Sequence, residues 1–377
     1  MILPRNNVNA KAMDVSLLSA NDLTSAEPAA TPVRAIIVDD MAMLRAASEL
    51  TRDLNAPKPL IYWADLLASV VLGYAALATA IMSESLGWAI GGAIVAILAL
   101  YRAGSFIHEL THIKHSAIPG FRFGWNALVG VPLLVPSLMY EGVHTLHHAR
   151  TRYGTAEDPE YLPLAQMKPY TLPLFVLVSA LGPIALMFRY AVLAPLSLVI
   201  PPLRKIVVER YSGLVINPGF RRRAAEGELR RNWIVQEIAA SVWAIALLAG
   251  VATGLIPVRA FAIFMGVASG VVVLNQIRTL VAHLWDNDGE VISTTAQFLD
   301  SVNVPPPSTL PALWAPVGLR YHAIHHLLPG LPYHALGEAH RRLSAALPSD
   351  SQYHRASYAG LPGLVSQLVK GTMRRPA

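Results

Sequence analysis

Four long apolar stretches constrain the fold of this chain more than any other feature. They cover residues 60–82, 86–107, 233–256 and 261–284. Each has close to the ~20 residues that a helix needs to cross a bilayer. Short turns separate the first from the second and the third from the fourth, so the sequence predicts two helical hairpins. Only 14% of the residues are charged, which favours an all-α integral membrane protein over a soluble enzyme.

Two other apolar regions are predicted to be interfacial or re-entrant rather than spanning. Residues 127–139 are too few to cross a bilayer, and residues 172–200 contain three prolines and a central Arg189. The number of membrane crossings supports this prediction. The histidine clusters before and after these regions can share one site only if the chain crosses the membrane an even number of times between them. The third and fourth apolar stretches already supply two crossings, so one further span would place the last cluster on the other side. We therefore expect four main transmembrane helices, or six if residues 172–200 form a short hairpin.

The basic residues predict the orientation of the helices. Residues 204–231 and the C-terminal tail are rich in arginine and lysine, whereas the two hairpin turns carry only Arg259. Positively charged loops stay in the cytoplasm. The sequence thus predicts a cytoplasmic N-terminal arm (1–56), a membrane domain (57–335) and a cytoplasmic C-terminal tail (336–377).

Histidines are concentrated in three clusters, which hold eight of the 13 in the chain. The clusters are His108 and His112; His144, His147 and His148; and His322, His325 and His326. Residues three and four apart lie on one face of a helix, so each cluster presents its imidazoles together. The chain has no cysteine, and neutral imidazole suits iron, zinc and copper. Eight imidazoles exceed the coordination of one metal and fit two.

The first cluster is predicted to lie just outside the hydrocarbon. A helix over residues 86–112 would be about 40 Å long, longer than the ~30 Å core of a bilayer. Histidines that bind metal usually donate their other ring N–H to an acceptor. Asp158 and Asp286 are candidates for that supporting role.

The three clusters resemble those of the membrane fatty acid desaturase and hydroxylase superfamily. Its pattern is H-x(3–4)-H, H-x(2–3)-H-H and, after a second pair of spans, H-x(2)-H-H; this chain is similar in composition, order and placement over residues 60–332. The resemblance implies a cytoplasmic helical domain that holds two irons as cofactors. Residues 140–161 also look like those of bacterial members, which implies the inner membrane.

The resemblance implies one more ligand near the end of the fourth span, where this chain has His283. Some acyl-CoA desaturases place an asparagine one helical turn before that histidine. Here the position is Thr279, and Asn275 lies two turns away, so Asn275 is not included among the expected ligands.

The function implied by the resemblance is an oxygen-dependent oxidation of lipid acyl chains, with desaturation preferred and hydroxylation or another C–H oxidation as the alternative. No catalytic residue beyond the metal ligands is expected. The chain has no cysteine and no convincing nucleotide fingerprint, so an external ferredoxin or cytochrome–reductase system is expected to supply electrons. No nucleic acid partner is expected.

Two functions of other classes use the same residues. His108-Glu109-Leu110-Thr111-His112 matches the H-E-x-x-H of zinc proteases, in which Glu109 would be the general base of an intramembrane metalloprotease. That interpretation leaves the other two clusters unexplained. A metal-binding membrane protein without catalytic activity is the third possibility.

Overall fold

The computed structural model describes residues 37–308 and 310–373, so residues 1–36 of the predicted N-terminal arm lie outside the described part. The described residues form helices and no β-strand, which confirms the all-α prediction. The helices are α1 Met41–Leu50, α2 Pro59–Met82, α3 Leu86–His112, α4 Phe121–Trp125, α5 His144–His147, α6 Thr171–Leu177, α7 Gly182–Phe188, α8 Ala194–Val199, α9 Pro201–Tyr211, α10 Gly227–Ala252, α11 Val258–Leu280, α12 Thr294–Asp300, α13 Pro311–Trp314, α14 His322–Leu327, α15 Leu336–Ala346 and α16 Leu361–Met373.

Five helical segments of the described chain are long and apolar enough to cross a membrane. Four are α2, α3, α10 and α11, which correspond to the predicted hairpins. The fifth is Thr171–Val199, in which α6, α7 and α8 follow one another without a break. The prolines therefore do not divide the region into separate helices, while its expected interfacial or re-entrant placement stays a prediction.

Irregular turns explain how the fifth segment accommodates its prolines and its charge. A 3₁₀ turn at Val178–Leu181 precedes Pro183, and a π-helical turn at Arg189–Leu193 precedes Pro195. Such turns change the backbone pairing at the position where a proline removes an N–H donor. The buried Arg189 guanidinium pairs with Glu237 of α10 at 2.5 Å, so its charge is compensated within the protein.

The residues before α6 and after α9 are hydrogen-bonded to each other. The N–H of Ile216, which follows α9, donates to the carbonyl of Pro159, which precedes α6, at 3.0 Å. Leu214 pairs in the same way with Met139 at 2.7 Å. The excursion over residues 160–215 therefore begins and ends at the same end of the helices, as an even number of membrane crossings requires.

Close packing joins α2 to α3. A Cβ atom on Gly92 would lie 2.8 Å from the carbonyl oxygen of Ala76, so only glycine allows this approach of the two backbones. Nearer the histidine end, Asp65 of α2 accepts a hydrogen bond from Arg102 of α3 at 2.7 Å. These contacts hold the helix that carries the first histidine cluster.

Short helices cover the end of the long helices where the histidines lie. Isolated β-bridges pair His283 with Ser301 and Asn303 with Tyr321, which brings the segment after α11 beside α14. At the outer surface, Met43 of α1 packs in one core cluster with Ala339 of α15. Parts of the predicted N-terminal arm and C-terminal tail therefore contact each other, while the proposed domain boundaries stay a prediction.

Candidate metal centre

Four separate elements carry the predicted ligands to one place. The last two turns of α3 carry His108 and His112, and α5 with the residue after it carries the second cluster. The third cluster lies on α14, and His283 follows the end of α11 by three residues. These histidines are buried or partly buried, so the folded chain removes their rings from bulk solvent.

The nine histidines separate into two groups, in each of which the ligand nitrogens lie within 4.8 Å of one another. Group A contains His108, His112, His144, His148 and His325, and group B contains His147, His283, His322 and His326. The adjacent residues of each H-H pair belong to different groups. The second and third clusters are therefore each divided between the two groups, whereas the first cluster lies entirely in group A.

The nitrogen spacing within each group fits a shared metal ion. In group A the Nε2 atom of His148 lies 3.0 Å from Nε2 of both His144 and His325. In group B, Nε2 of His322 lies 3.0 Å from that of His283 and 3.2 Å from that of His326. Two nitrogens bound at about 2.1 Å to one metal are separated by roughly 3 Å when the bonds meet at a right angle.

Carboxylates beside the Nδ1 atoms of His147 and His144 orient these rings so that Nε2 points into the histidine groups. Nδ1 of His147 lies 2.9 Å from the fully buried carboxylate of Asp158, one of the two aspartates expected in a supporting role. Nδ1 of His144 lies 2.9 Å from the carboxylate of Glu160. A ring that donates from Nδ1 keeps an unprotonated Nε2, which is the form that binds a metal.

His283 is oriented by a longer relay of side chains. Its Nδ1 lies 2.8 Å from the hydroxyl of Tyr153, and that hydroxyl donates to Asp300 at 2.7 Å. Tyr161 donates to the same carboxylate oxygen. The predicted supporting residue Asp286 takes part through its backbone, since its N–H donates to Asp300 at 3.2 Å.

Sequence reasoning did not find Glu160, Tyr153 or Asp300. Glu160 lies two residues from Asp158, so the acidic segment after the second cluster was a usable signal. Nothing in the sequence connects Asp300 with a histidine. Asp300 reaches His283 only through the hydroxyl of Tyr153, and the antiparallel bridge between His283 and Ser301 brings these segments together.

One outer contact differs from the others. Nδ1 of His322 faces the guanidinium of Arg278 at 3.0 Å, and an arginine side chain only donates hydrogen bonds. Group B therefore has a fixed positive charge beside one of its four rings.

Burial and mutual proximity keep most of the rings neutral. Burial, followed by the neighbouring imidazoles, holds the pKa of His325 and of His326 well below the usual range. Burial alone would lower the pKa of His147, but the carboxylate of Asp158 outweighs it and raises that pKa. Burial also raises the pKa of Glu160 to about 7. Neutral imidazoles with inward lone pairs are suitable ligands for divalent metals.

Unpartnered nitrogens also indicate that the groups bind metal. Both ring nitrogens of His108 and Nε2 of His112 are buried without a hydrogen-bond partner in the described part of the chain. Buried polar atoms in native proteins are normally satisfied. An ion in group A would provide a partner for Nε2 of His112 and for one ring nitrogen of His108, so the donor set fits a metal.

The geometry does not support the metalloprotease alternative. Glu109 is buried and accepts hydrogen bonds from the hydroxyl of Tyr62 and the N–H of Tyr333. Both hydrogen bonds are accepted by the same carboxylate oxygen, Oε2, which gives this side chain a structural role.

A cavity of about 490 Å³ adjoins the histidines. His108 and His144 of group A and His147, His283 and His322 of group B border it. Its walls come from α3, α7 and α11 and from the segments 125–144 and 210–216, and they are largely apolar. The cavity therefore gives an elongated apolar molecule access to both histidine groups.

The helical spans, the two histidine groups and the adjoining cavity define an integral membrane protein with a candidate metal centre beside a lipid-sized cavity. The family model for fatty acid desaturases matches residues 83–358. A ceramide hydroxylase of Caulobacter vibrioides (strain NA1000 / CB15N) is 49% identical over 338 residues, which are 90% of this chain and 96% of that protein. No solved structure matched the chain.

The chain belongs to the fatty acid desaturase family, as the three histidine clusters predicted. It is a membrane oxidoreductase of lipid metabolism. Membership of this family also argues against the metalloprotease and the non-catalytic metal-binding alternatives.

Proposed function

We propose that this protein is a di-iron lipid hydroxylase that acts on ceramide or a closely related lipid. The observation that carries the proposal is the 49% identity to a ceramide hydroxylase along nearly the whole of both chains. Sequence analysis preferred desaturation, with hydroxylation as the alternative. The relative supports the alternative, so hydroxylation replaces desaturation as the proposed reaction.

The nine histidines are the proposed ligands, with one iron in group A and one in group B. Two irons bound there would supply the redox chemistry that activates dioxygen. The chain's own residues have other tasks: Asp158, Glu160 and Tyr153 orient ligand rings, and the cavity holds the lipid beside both groups.

The proposed reaction inserts one oxygen atom into a C–H bond of the lipid. One atom of O₂ enters the product as a hydroxyl group, and the other leaves as water after two electrons and two protons are taken up. The electrons come from an external donor, for which a ferredoxin or a cytochrome with its reductase is proposed. We further propose that the histidine end of the helices faces the cytoplasm of a bacterial inner membrane, where such donors are found.

Mass spectrometry of the lipid product tests the proposal. Purified, iron-loaded protein is incubated with a ceramide, an electron donor and ¹⁸O₂. We expect the ceramide to gain one labelled oxygen atom. Loss of two hydrogens without oxygen would instead indicate a desaturase, and an unchanged ceramide with a reduced donor present would contradict ceramide as the substrate.

A variant of the same protein tests the proposed ligands. His147→Ala should abolish hydroxylation and lower the iron content, because group B would keep only His283, His322 and His326 as ligand candidates. Full activity with two irons retained would contradict the ligand assignment.

A further inference from the structure

The wall of the cavity formed by α11 changes from apolar to polar toward the histidines. The residues of α11 that border the cavity recur every three or four positions and so lie on one face of the helix. They are Ala268, Val271, Val272, Asn275, Gln276, Arg278 and Thr279. The first three are apolar, and the amide side chains of Asn275 and Gln276 follow. We call these two residues the amide pair.

The amide pair lies close to the metal centre. Asn275 and Gln276 precede the end of α11 at Leu280 by roughly 6–8 Å of helix rise, and His283 follows that end by three residues. The pair and five of the nine histidines border the same cavity. A molecule in the cavity therefore contacts the amide pair while one of its carbons lies beside the histidines.

The hydrogen-bonding capacity of the amide pair is not used by the protein. Neither side chain is hydrogen-bonded to another group in the described part of the chain, whereas the hydroxyl groups of Thr279, Tyr101 and Ser105, which also border the cavity, are hydrogen-bonded. Thr279 donates to the carbonyl of Asn275 at 2.9 Å. On the opposite wall, Tyr101 donates to Trp314 at 2.9 Å and Ser105 to Tyr101 at 2.8 Å. The two amides differ from these groups in being available to a ligand.

Asn275 is exposed and Gln276 is partly buried, and amide side chains without partners are unfavourable where a membrane helix faces lipid. Polar residues in spans are rare and usually face a binding site or a water-filled cavity. Each amide offers an N–H donor and a C=O acceptor, which together complement an amide or hydroxyl group. A plain hydrocarbon segment would leave both amides unpaired, and sites built for hydrogen bonding discriminate strongly against ligands that lack the matching group.

We propose that Asn275 and Gln276 bind the amide or hydroxyl groups of the substrate, so that the enzyme selects a lipid that carries these groups close to the carbon it oxidises. This inference rests on the proposed function and adds the residues that determine specificity. It also predicts that simple acyl chains, whose polar end lies far from the oxidised carbon, are poor ligands.

Binding measurements test the amide pair independently of turnover. Metal-free and iron-loaded proteins in phosphatidylcholine nanodiscs are titrated with a ceramide and with a long-chain ester of equal carbon number that has neither N–H nor hydroxyl. The variants are Asn275→Leu and Gln276→Met, which remove the amide at similar size. Asn232→Leu is the matched control: it makes the same exchange in α10, at a residue that does not border the cavity.

We expect wild-type protein to bind the ceramide more tightly than the ester. Each variant should lose about tenfold in ceramide affinity, the effect of one hydrogen bond, and bind the ester as well as or better than wild type. Asn232→Leu should bind both lipids as wild type does. Asn275→Gln keeps an amide, so its ceramide affinity should lie between those of Asn275→Leu and wild type. If Asn275→Leu does not fold, Asn275→Gln is compared with wild type instead.

Two results would overturn the inference. Equal ceramide affinity in wild type and the variants would show that the amides only contact water, and equal affinity of wild type for both lipids would show no selection. The proposed function fails separately, when iron-loaded wild type does not oxidise ceramide. If the wild-type protein hydroxylates ceramide and the variants bind ceramide as tightly as wild type does, the proposed function stands. Only the role assigned to the amide pair is then contradicted.

Discussion

The carboxylate of Asp158 lies 2.9 Å from Nδ1 of His147 and is fully buried between backbone donors. It also accepts the N–H groups of Gly154 and Glu160, both at 2.8 Å. The aspartate thus joins the loop after the second cluster to a proposed ligand. These three contacts fix the direction in which the imidazole presents Nε2 to group B.

The first prediction concerns this contact. Asp158→Asn should weaken metal binding about 10–100-fold, because an asparagine replaces one acceptor oxygen with a donor and disturbs the ring orientation. Metal titration of the purified apoprotein measures the effect. Glu157→Gln is the control, since Glu157 is an exposed neighbour whose ion pair with Arg152 is at the surface. Equal losses in both variants would contradict a specific role for Asp158.

The second prediction separates the two histidine groups. His325 belongs to group A and its neighbour His326 to group B, so each single alanine variant should lose about one of the two proposed irons and retain the other. Elemental analysis measures the number of irons, and Mössbauer spectra show which site remains. His115→Ala should keep both irons, because His115 is outside both groups. Identical spectra for the two cluster variants would contradict the division.

The third prediction distinguishes a structural glutamate from a catalytic base. Glu109→Gln should keep the irons and the activity of the folded protein, while stability falls by about 1–3 kcal/mol because a buried hydrogen-bond pair is disturbed. Thermal unfolding in detergent measures this. Tyr62→Phe, which removes the partner, should produce a similar change. Loss of all activity in a stable Glu109→Gln protein with full iron content would show a chemical role.

The fourth prediction concerns the α2–α3 contact. Gly92→Ala places a Cβ atom 2.8 Å from the backbone of Ala76, so the two helices must separate, at a cost of about 1–3 kcal/mol. Gly91→Ala is the matched control, because a Cβ atom there meets nothing within 4 Å. Thermal unfolding should show a lower transition temperature for the first variant alone. Equal stability of the two variants would mean that α2 and α3 pack differently.

The fifth prediction concerns orientation in the membrane. The chain has no cysteine, so single introduced cysteines report their own accessibility. In intact cells, a membrane-impermeant thiol reagent should label Glu84→Cys, in the turn between α2 and α3, and leave Arg221→Cys unlabelled until the cells are opened. The reverse labelling would place the histidine end outside the cytoplasm.

The sequence alone predicted much of the fold and nearly all of the site, because both depend on local patterns. Long apolar stretches identified four of the five membrane-length helices, and the spacing of histidines identified eight ligand candidates before any resemblance was used. The fifth segment was identified as apolar but was expected to be interfacial or re-entrant, because prolines and Arg189 normally interrupt a span. The π-helical turn and the ion pair with Glu237 compensate for them, and neither is visible in the sequence.

Sequence by itself determined which side chains are available for metal binding, since the spacing of imidazoles along a helix follows from helical geometry. Only the tertiary structure decided how these histidines are divided between group A and group B. His147 and His148 are adjacent in the chain and lie in different groups, while His148 joins His325 and His147 joins His283. The physical reason is that neighbouring residues on a helix point about 100° apart, so the partners of each ring come from other helices whose positions depend on packing of the whole chain.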